Sequence, residues 1–202
     1  MRIDDSLGSY KATYLDPDFI QQSPSIALGQ AKEEVLRMGQ LAIKGLEETN
    51  HFIHTNQMKY AETAYRLEEI INSLDRKITD YLFLLATYPL STPDSKEHSI
   101  LMDTVRDIVK IVDHFEYIIE LVRYQNEKKV KITEQAMKEL SDMFSLTIYT
   151  VQEAIQSLDQ KDVDVARKVI EKENQIDKME STLKKQHILR LKEGLCTGSA
   201  GM

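Results

Sequence analysis

Asp113, Glu116 and Glu120 stand three and four residues apart, so on a helix their carboxylates share one face. Asp103 and Asp107 precede them on the same stretch. Carboxylate oxygens suit hard cations or iron, and helical bundles assemble metal sites from ligands on facing helices. The same spacing also describes a solvated face, its mild repulsion relieved by Arg106, Lys110 and Arg123. A second acidic pair, Glu173 and Asp177, lies four residues apart. In the run Ala166, Ile170, Glu173, Ile176, Met179 and Leu183, Glu173 takes a position where a core residue is expected. A half-buried carboxylate there needs a partner: either a cation, or Lys172 or Lys178 on the helix flank. Iron or another divalent metal is the cofactor that these acids admit.

Other chemistries find less support. Glu48-x-x-His51 is half of a ferritin-like di-iron motif, but such sites use two of these pairs and the chain holds no second one. His51 and His54 sit one turn apart near a helix end, a placement that ordinary surface histidines share. The lone Cys196 cannot form an internal disulfide, which points to a reducing, cytoplasmic setting. No Gly-rich phosphate loop, Ser/His/Asp pattern or Cys/His cluster occurs, so the chain reads as a non-enzyme. A net charge of −7 argues against a nucleic-acid backbone as partner. The longest apolar run, Tyr81 to Ala86, is far shorter than the ~20 residues that span a bilayer.

Long helices must position these acids. Seven Gly, four Pro and no Trp suit an all-α protein. Residues 1–24 read as an irregular polar lead. A first helix is predicted from about Pro24 to Thr55, capped by Ser23 or Ser25, with Val35, Met38, Ala42, Leu46 and Ile53 on its apolar side. A second, about 57–87, carries a cleaner stripe: Tyr60, Ala64, Leu67, Ile71, Leu74, Ile78, Tyr81 and Leu85 alternate by four and three. Two prolines end it, and Thr92 or Asp94 caps a third helix to about 128. Leu101, Val105, Ile108, Val112, Phe115, Ile119 and Val122 form a heptad seam there, widened by Ile100, Ile111, Ile118 and Leu121. Thr133 caps a fourth helix to about Leu158. A fifth follows to about Glu193, closed by Gly194.

The first two helices and the last two resemble each other. Met38-Gly39-Gln40-Leu41-Ala42-Ile43 aligns with Met143-Phe144-Ser145-Leu146-Thr147-Ile148, and Leu74-Asp75-Arg76-Lys77 with Ile176-Asp177-Lys178-Met179, at nearly the same offset. The reading is a helical domain over 25–195. It holds a three-helix repeat, about 25–128, and a second repeat, about 132–195, that lacks its last helix. Residues 196–202 read as a disordered tail. The unfilled groove beside the fourth and fifth helices is expected to favour a homodimer.

Arg106-Asp107-Ile108-Val109-Lys110-Ile111-Val112-Asp113-His114-Phe115-Glu116-Tyr117-Ile118-Ile119 resembles the PhoU signature, commonly Asp-Leu-Glu-Arg-Ile-Gly-Asp-His-Ala-x-Asn-Ile. Tyr14-Leu15-Asp16-Pro17 through Pro24-Ser25-Ile26-Ala27-Leu28-x-Gln30-Ala31 is similar to the junction preceding the cytosolic PhoU-like domain of sodium/phosphate cotransporter-type membrane proteins. His187 to Cys196 resembles the end of that domain's fifth helix. The resemblance implies a six-helix, two-repeat bundle with a regulatory role in phosphate uptake. Its partner would be a membrane phosphate transporter, in cis or in trans, at the inner face of the membrane. It also implies metal clusters in some members, held by Glu/Asp-x-x-x-Asp motifs on the third and sixth helices. Of the first motif only Asp113 matches, its partner position being Val109, and the second has no counterpart in this sequence. A plain helical adaptor is the remaining alternative.

Overall fold

A computed structural model describes residues 12–130 and 132–196. The chain is all-α: α1 (Asp18–Gln22), α2 (Pro24–Thr55), α3 (Met58–Leu85), α4 (Thr92–Glu127), α5 (Glu134–Gln160) and α6 (Val163–Lys192). The five long helices begin and end within about two residues of their predicted limits. The short α1 is a correction, because the lead is not irregular throughout. Asp16 accepts the Asp18 amide and starts the turn, and Ile20 is buried. Of the predicted disordered tail, 196–202, residues 197–202 lie outside the described residues, as do residues 1–11. Cys196 does not belong to such a tail: it is partly buried, with Sγ 3.7 Å from His187 Nδ1.

Helix ends follow local chemistry. Pro24, with no amide to satisfy, opens α2. Helix α4 is capped by Ser91 rather than by Thr92 or Asp94: the Asp94 amide donates to Ser91 Oγ at 3.2 Å and that hydroxyl donates back to Asp94 at 2.8 Å. Thr133 Oγ1 accepts the Ala136 amide, as expected, and Asp162 accepts from Asp164 and Val165. Gly194 (φ 71°) ends α6 in a Schellman motif, with Gly194 N–H to Leu191 and Leu195 N–H to Arg190. Lys161 (φ 54°) ends α5 in the same left-handed conformation, where its Cβ crowds the backbone. Lys161→Gly is therefore expected to stabilise the protein by about 1 kcal/mol, raising the melting temperature by roughly 2–4 °C in a calorimetric scan. An unchanged or lower melting temperature would contradict it.

Chain contacts gather into two compact units. The first takes residues up to 45 together with 62–115. There α2 and α3 run antiparallel, since Tyr81 reaches Gln30, while α2 and α4 run parallel, since Ser25 meets Asp94 and Gly45 faces Phe115. The predicted stripes supply the core: Ala64, Leu67, Ile71, Leu74, Ile78 and Leu85 from α3, and Leu101, Val105, Ile108, Val112 and Phe115 from α4, are all buried. Ile100 is half exposed, so the seam is narrower at its start than predicted.

The second unit takes residues 46–61 and 116 onward. Phe52, Thr49 and Ile119 are fully buried in it. The α5–α6 hairpin is much drier on paper than in fact: α5 buries only Thr150 and Ile155, and α6 buries nothing.

Candidate functional site

The predicted acidic residues lie at the surface. Asp113, Glu116 and Glu120 on α4 are each exposed. Arg106 and Lys110 are committed one turn back, to Asp103 at 3.4 Å and Asp107 at 3.3 Å. Among the described residues no three His, Cys, Asp or Glu side chains come together to hold a metal ion. His51 stacks against Tyr60, ring centres 5.2 Å apart, rather than joining Glu48 in a ligand set.

Glu173 and Asp177 are exposed, so the expected half-buried carboxylate is corrected. The face that α6 turns towards α5 runs Val165, Val169, Lys172, Ile176, Met179 and Leu183. That is one residue out of phase with the predicted run at its start, which leaves Ile170 57% exposed and rotates Glu173 into solvent. Lys172 takes the inward place. Its stem lies along the interface while its ammonium pairs with Glu153 and sits 4.2 Å over the Tyr149 ring.

The carboxylate that the fold does bury is Glu34. It is fully enclosed, and its oxygens accept the amides of Thr13 (3.0 Å) and Tyr14 (3.1 Å) and pair with Arg37. Beside it the Tyr81 hydroxyl donates to Gln30 Oε1 (2.8 Å) and to the Asp16 carbonyl (3.0 Å), and the Asp16 amide donates to Gln30. Burial, and then the Asp16 carboxylate, push the Tyr81 phenol up to about 12, so it remains a donor at any physiological pH. Together these groups fasten residues 13–16 to α2 and α3. Sequence reasoning passed over Glu34, yet a signal was present: it is in phase with Ala27, Ala31 and Met38 on the buried side of α2, with Arg37 one turn on.

The α5–α6 hairpin is tied at both ends. Arg190 donates to Glu139 at 3.0 Å, and Lys172 donates to Glu153. The Gln135 amide and then Arg190 hold the Glu139 carboxyl below its usual range, against partial burial. The Lys172 ammonium does the same for Glu153, helped by the Tyr149 hydroxyl. Both carboxyls titrate lower when folded than unfolded. Their stabilisation is complete above the ordinary carboxylate value of 4.5 and is lost as pH falls through the lower folded values. Amide exchange at α5 and α6 is thus expected to be flat from pH 7 to about 5, after correction for intrinsic rates, and to accelerate below that. Glu139→Gln should remove part of the acid step; an identical acid profile in that variant would refute the assignment. Between these ties lies a shallow cleft of about 310 Å³, lined by Asp142, Lys178, Met179, Thr182, Leu183 and Glu139. It sits at the lower limit of small-molecule pockets and carries both charge signs.

Long capped helices with partly exposed faces define an all-α helical domain. The PhoU domain family matches residues 35–122 and 140–199, and the chain belongs to that family. A curated relative from Thermotoga maritima, the phosphate-specific transport system accessory protein PhoU homolog 1, is 26% identical over 164 residues, spanning 81% of this chain and 70% of its own. No solved structure matches the chain significantly.

Proposed function

We propose that this chain is a non-enzymatic regulatory domain of phosphate transport that acts by laying helix surfaces on a membrane transporter. The observation that carries the reading is the PhoU match over two segments that together include most of α2–α6. The relative's name ties that protein to a phosphate-specific transport system. The resemblance of residues 14–31 to a cotransporter junction favours a sodium-dependent transporter, joined in cis or bound in trans at the cytoplasmic face. No described helix is long and apolar enough to cross a membrane. The domain is read as 25–195, behind a lead that Glu34 and Tyr81 hold in place.

Photo-crosslinkers placed at Ile170 and Tyr149, both exposed, should trap a phosphate transporter in cells, and removal of the chain should alter sodium-driven phosphate uptake. Unchanged uptake together with no transporter adduct would end the proposal. Exposed Tyr149, Val163 and Ile170 also support self-association through α5 and α6. A strictly monomeric mass at high micromolar concentration counts against that. A metal-binding role would use Asp113, Glu116 and Glu120 with a partner chain or with Glu173 and Asp177. Elemental analysis on the same sample tests it: metal in proportion to a dimer supports shared acidic sites, and metal-free protein leaves Asp113, Glu116, Glu120, Glu173 and Asp177 as solvated acids.

A further inference from the structure

The outward face of the last turns of α6 breaks the charge pattern of the molecule. The chain carries a net charge of −7, yet Ser181–Lys192 contains four basic residues and no acidic one. Arg190 is spent inward on Glu139, and Lys184 pairs with Glu180 at 2.6 Å. Lys178, Lys185 and Lys192 remain. Spaced by seven, they fall on one line down the helix, each exposed, and none makes an ion pair among the described residues. Between and beside them stand Ile188 (52% exposed), Leu189 (49%), Leu191 and Leu195 (60%). Lys184, Lys185, Leu191 and Lys192 are the three- and four-residue neighbours of Ile188, so apolar and cationic groups share one surface.

Leu195 adds a separate sign. In a Schellman motif the residue after the left-handed glycine usually rests on an apolar side chain of the last turn. Here C3 is Arg190, turned inward, and the apolar C4 residue Leu189 and Leu195 both stay largely in water, 49% and 60% exposed. A symmetric contact with a second copy of the chain is a poor cover for this face, because two lysine lines would meet and repel. An occupant must be anionic and also accept aliphatic side chains.

We infer that the α6 end, through Lys185, Ile188, Leu189 and Lys192, docks directly on an anionic phospholipid surface. Leucine and isoleucine enter the boundary between headgroups and acyl chains, while the lysine stems bend their ammonium groups back to the phosphates. The inference stands apart from the transporter reading, since lipid alone supplies the occupant.

Sedimentation with protein-free vesicles tests it. The chain is expected to sediment with phosphatidylcholine vesicles containing phosphatidylglycerol, to be released by high salt, and to stay in solution with pure phosphatidylcholine. Lys185→Ala/Lys192→Ala should weaken partitioning roughly 25-fold, at about fivefold per lysine. Ile188→Ser/Leu189→Ser should weaken it at unchanged charge, and Lys77→Ala/Lys96→Ala, exposed lysines elsewhere, should leave it intact. All these positions are exposed, and helical circular dichroism verifies folding. No sedimentation with phosphatidylglycerol vesicles would overturn the inference and assign the face to an acidic protein surface. An equal loss in the Lys77/Lys96 control would overturn it too, showing only diffuse charge attraction. Because no transporter is present, neither result bears on the uptake and crosslinking tests.

Discussion

Arg37→Ala is expected to destabilise the protein by about 3–5 kcal/mol, the range for removing one partner of a buried ion pair. Glu34 is fully enclosed, and Arg37 is the cation that pairs with it; the Thr13 and Tyr14 amides are neutral donors. Without the guanidinium the carboxylate must either stay charged in a poor solvent or take up a proton, and both outcomes disfavour the folded chain. Urea unfolding would show a lower midpoint with a similar slope. Replacing both residues, Glu34→Leu/Arg37→Leu, should lose less than the single change, because no uncompensated charge remains. The lead should loosen in the double variant, since there Thr13 and Tyr14 lose their acceptor. A loss below about 1 kcal/mol in Arg37→Ala would mean that the pair contributes no more than an exposed salt bridge.

Phe115→Ala should cost a comparable 3–5 kcal/mol through lost burial and the cavity left behind. The ring is fully buried, and its seat exists only because residue 45 is glycine: a Cβ there would lie 2.1 Å from the Phe115 ring. Glycine inside a helix is unfavourable by about 1 kcal/mol relative to alanine. Gly45→Ala would be stabilising if propensity decided the matter. At this separation the added methyl must displace the ring within a filled core, at about 1–3 kcal/mol, so the propensity gain is cancelled and a net loss of up to about 2 kcal/mol is expected. The double change Gly45→Ala/Phe115→Leu should be better tolerated than the sum of its single changes, because the smaller side chain vacates the space that the methyl enters. Strict additivity in that cycle would refute contact between the two sites.

Much of the fold was legible along the chain because its signals are local. Pro24, Thr133 and Gly194 mark helix ends by chemistry that acts over three or four residues, and the observed ends agree closely. The four-and-three stripe of α3 and the heptad seam of α4 became core because each is uninterrupted over many turns. Shorter-range ambiguities resolved otherwise. Ser91, Thr92 and Asp94 are all competent caps, and only the path of the chain selects Ser91. At the start of α6 the apolar residues admit two phases. Packing chose the one that turns Lys172 towards Glu153 and puts Glu173 in water.

The candidate site divides along the same line. Sequence by itself determined which residues are acidic, how they are spaced on their helices, and that the chain resembles the PhoU family. Those are properties of neighbours in the chain, fixed by helical geometry. Only tertiary structure decided that Asp113, Glu116, Glu120, Glu173 and Asp177 are exposed, while Glu34 is enclosed with Arg37 and the lead. Whether a carboxylate is buried depends on what other segments bring to it. For Glu34 those are the amides of Thr13 and Tyr14, some twenty residues away, and no periodicity within one helix encodes that meeting.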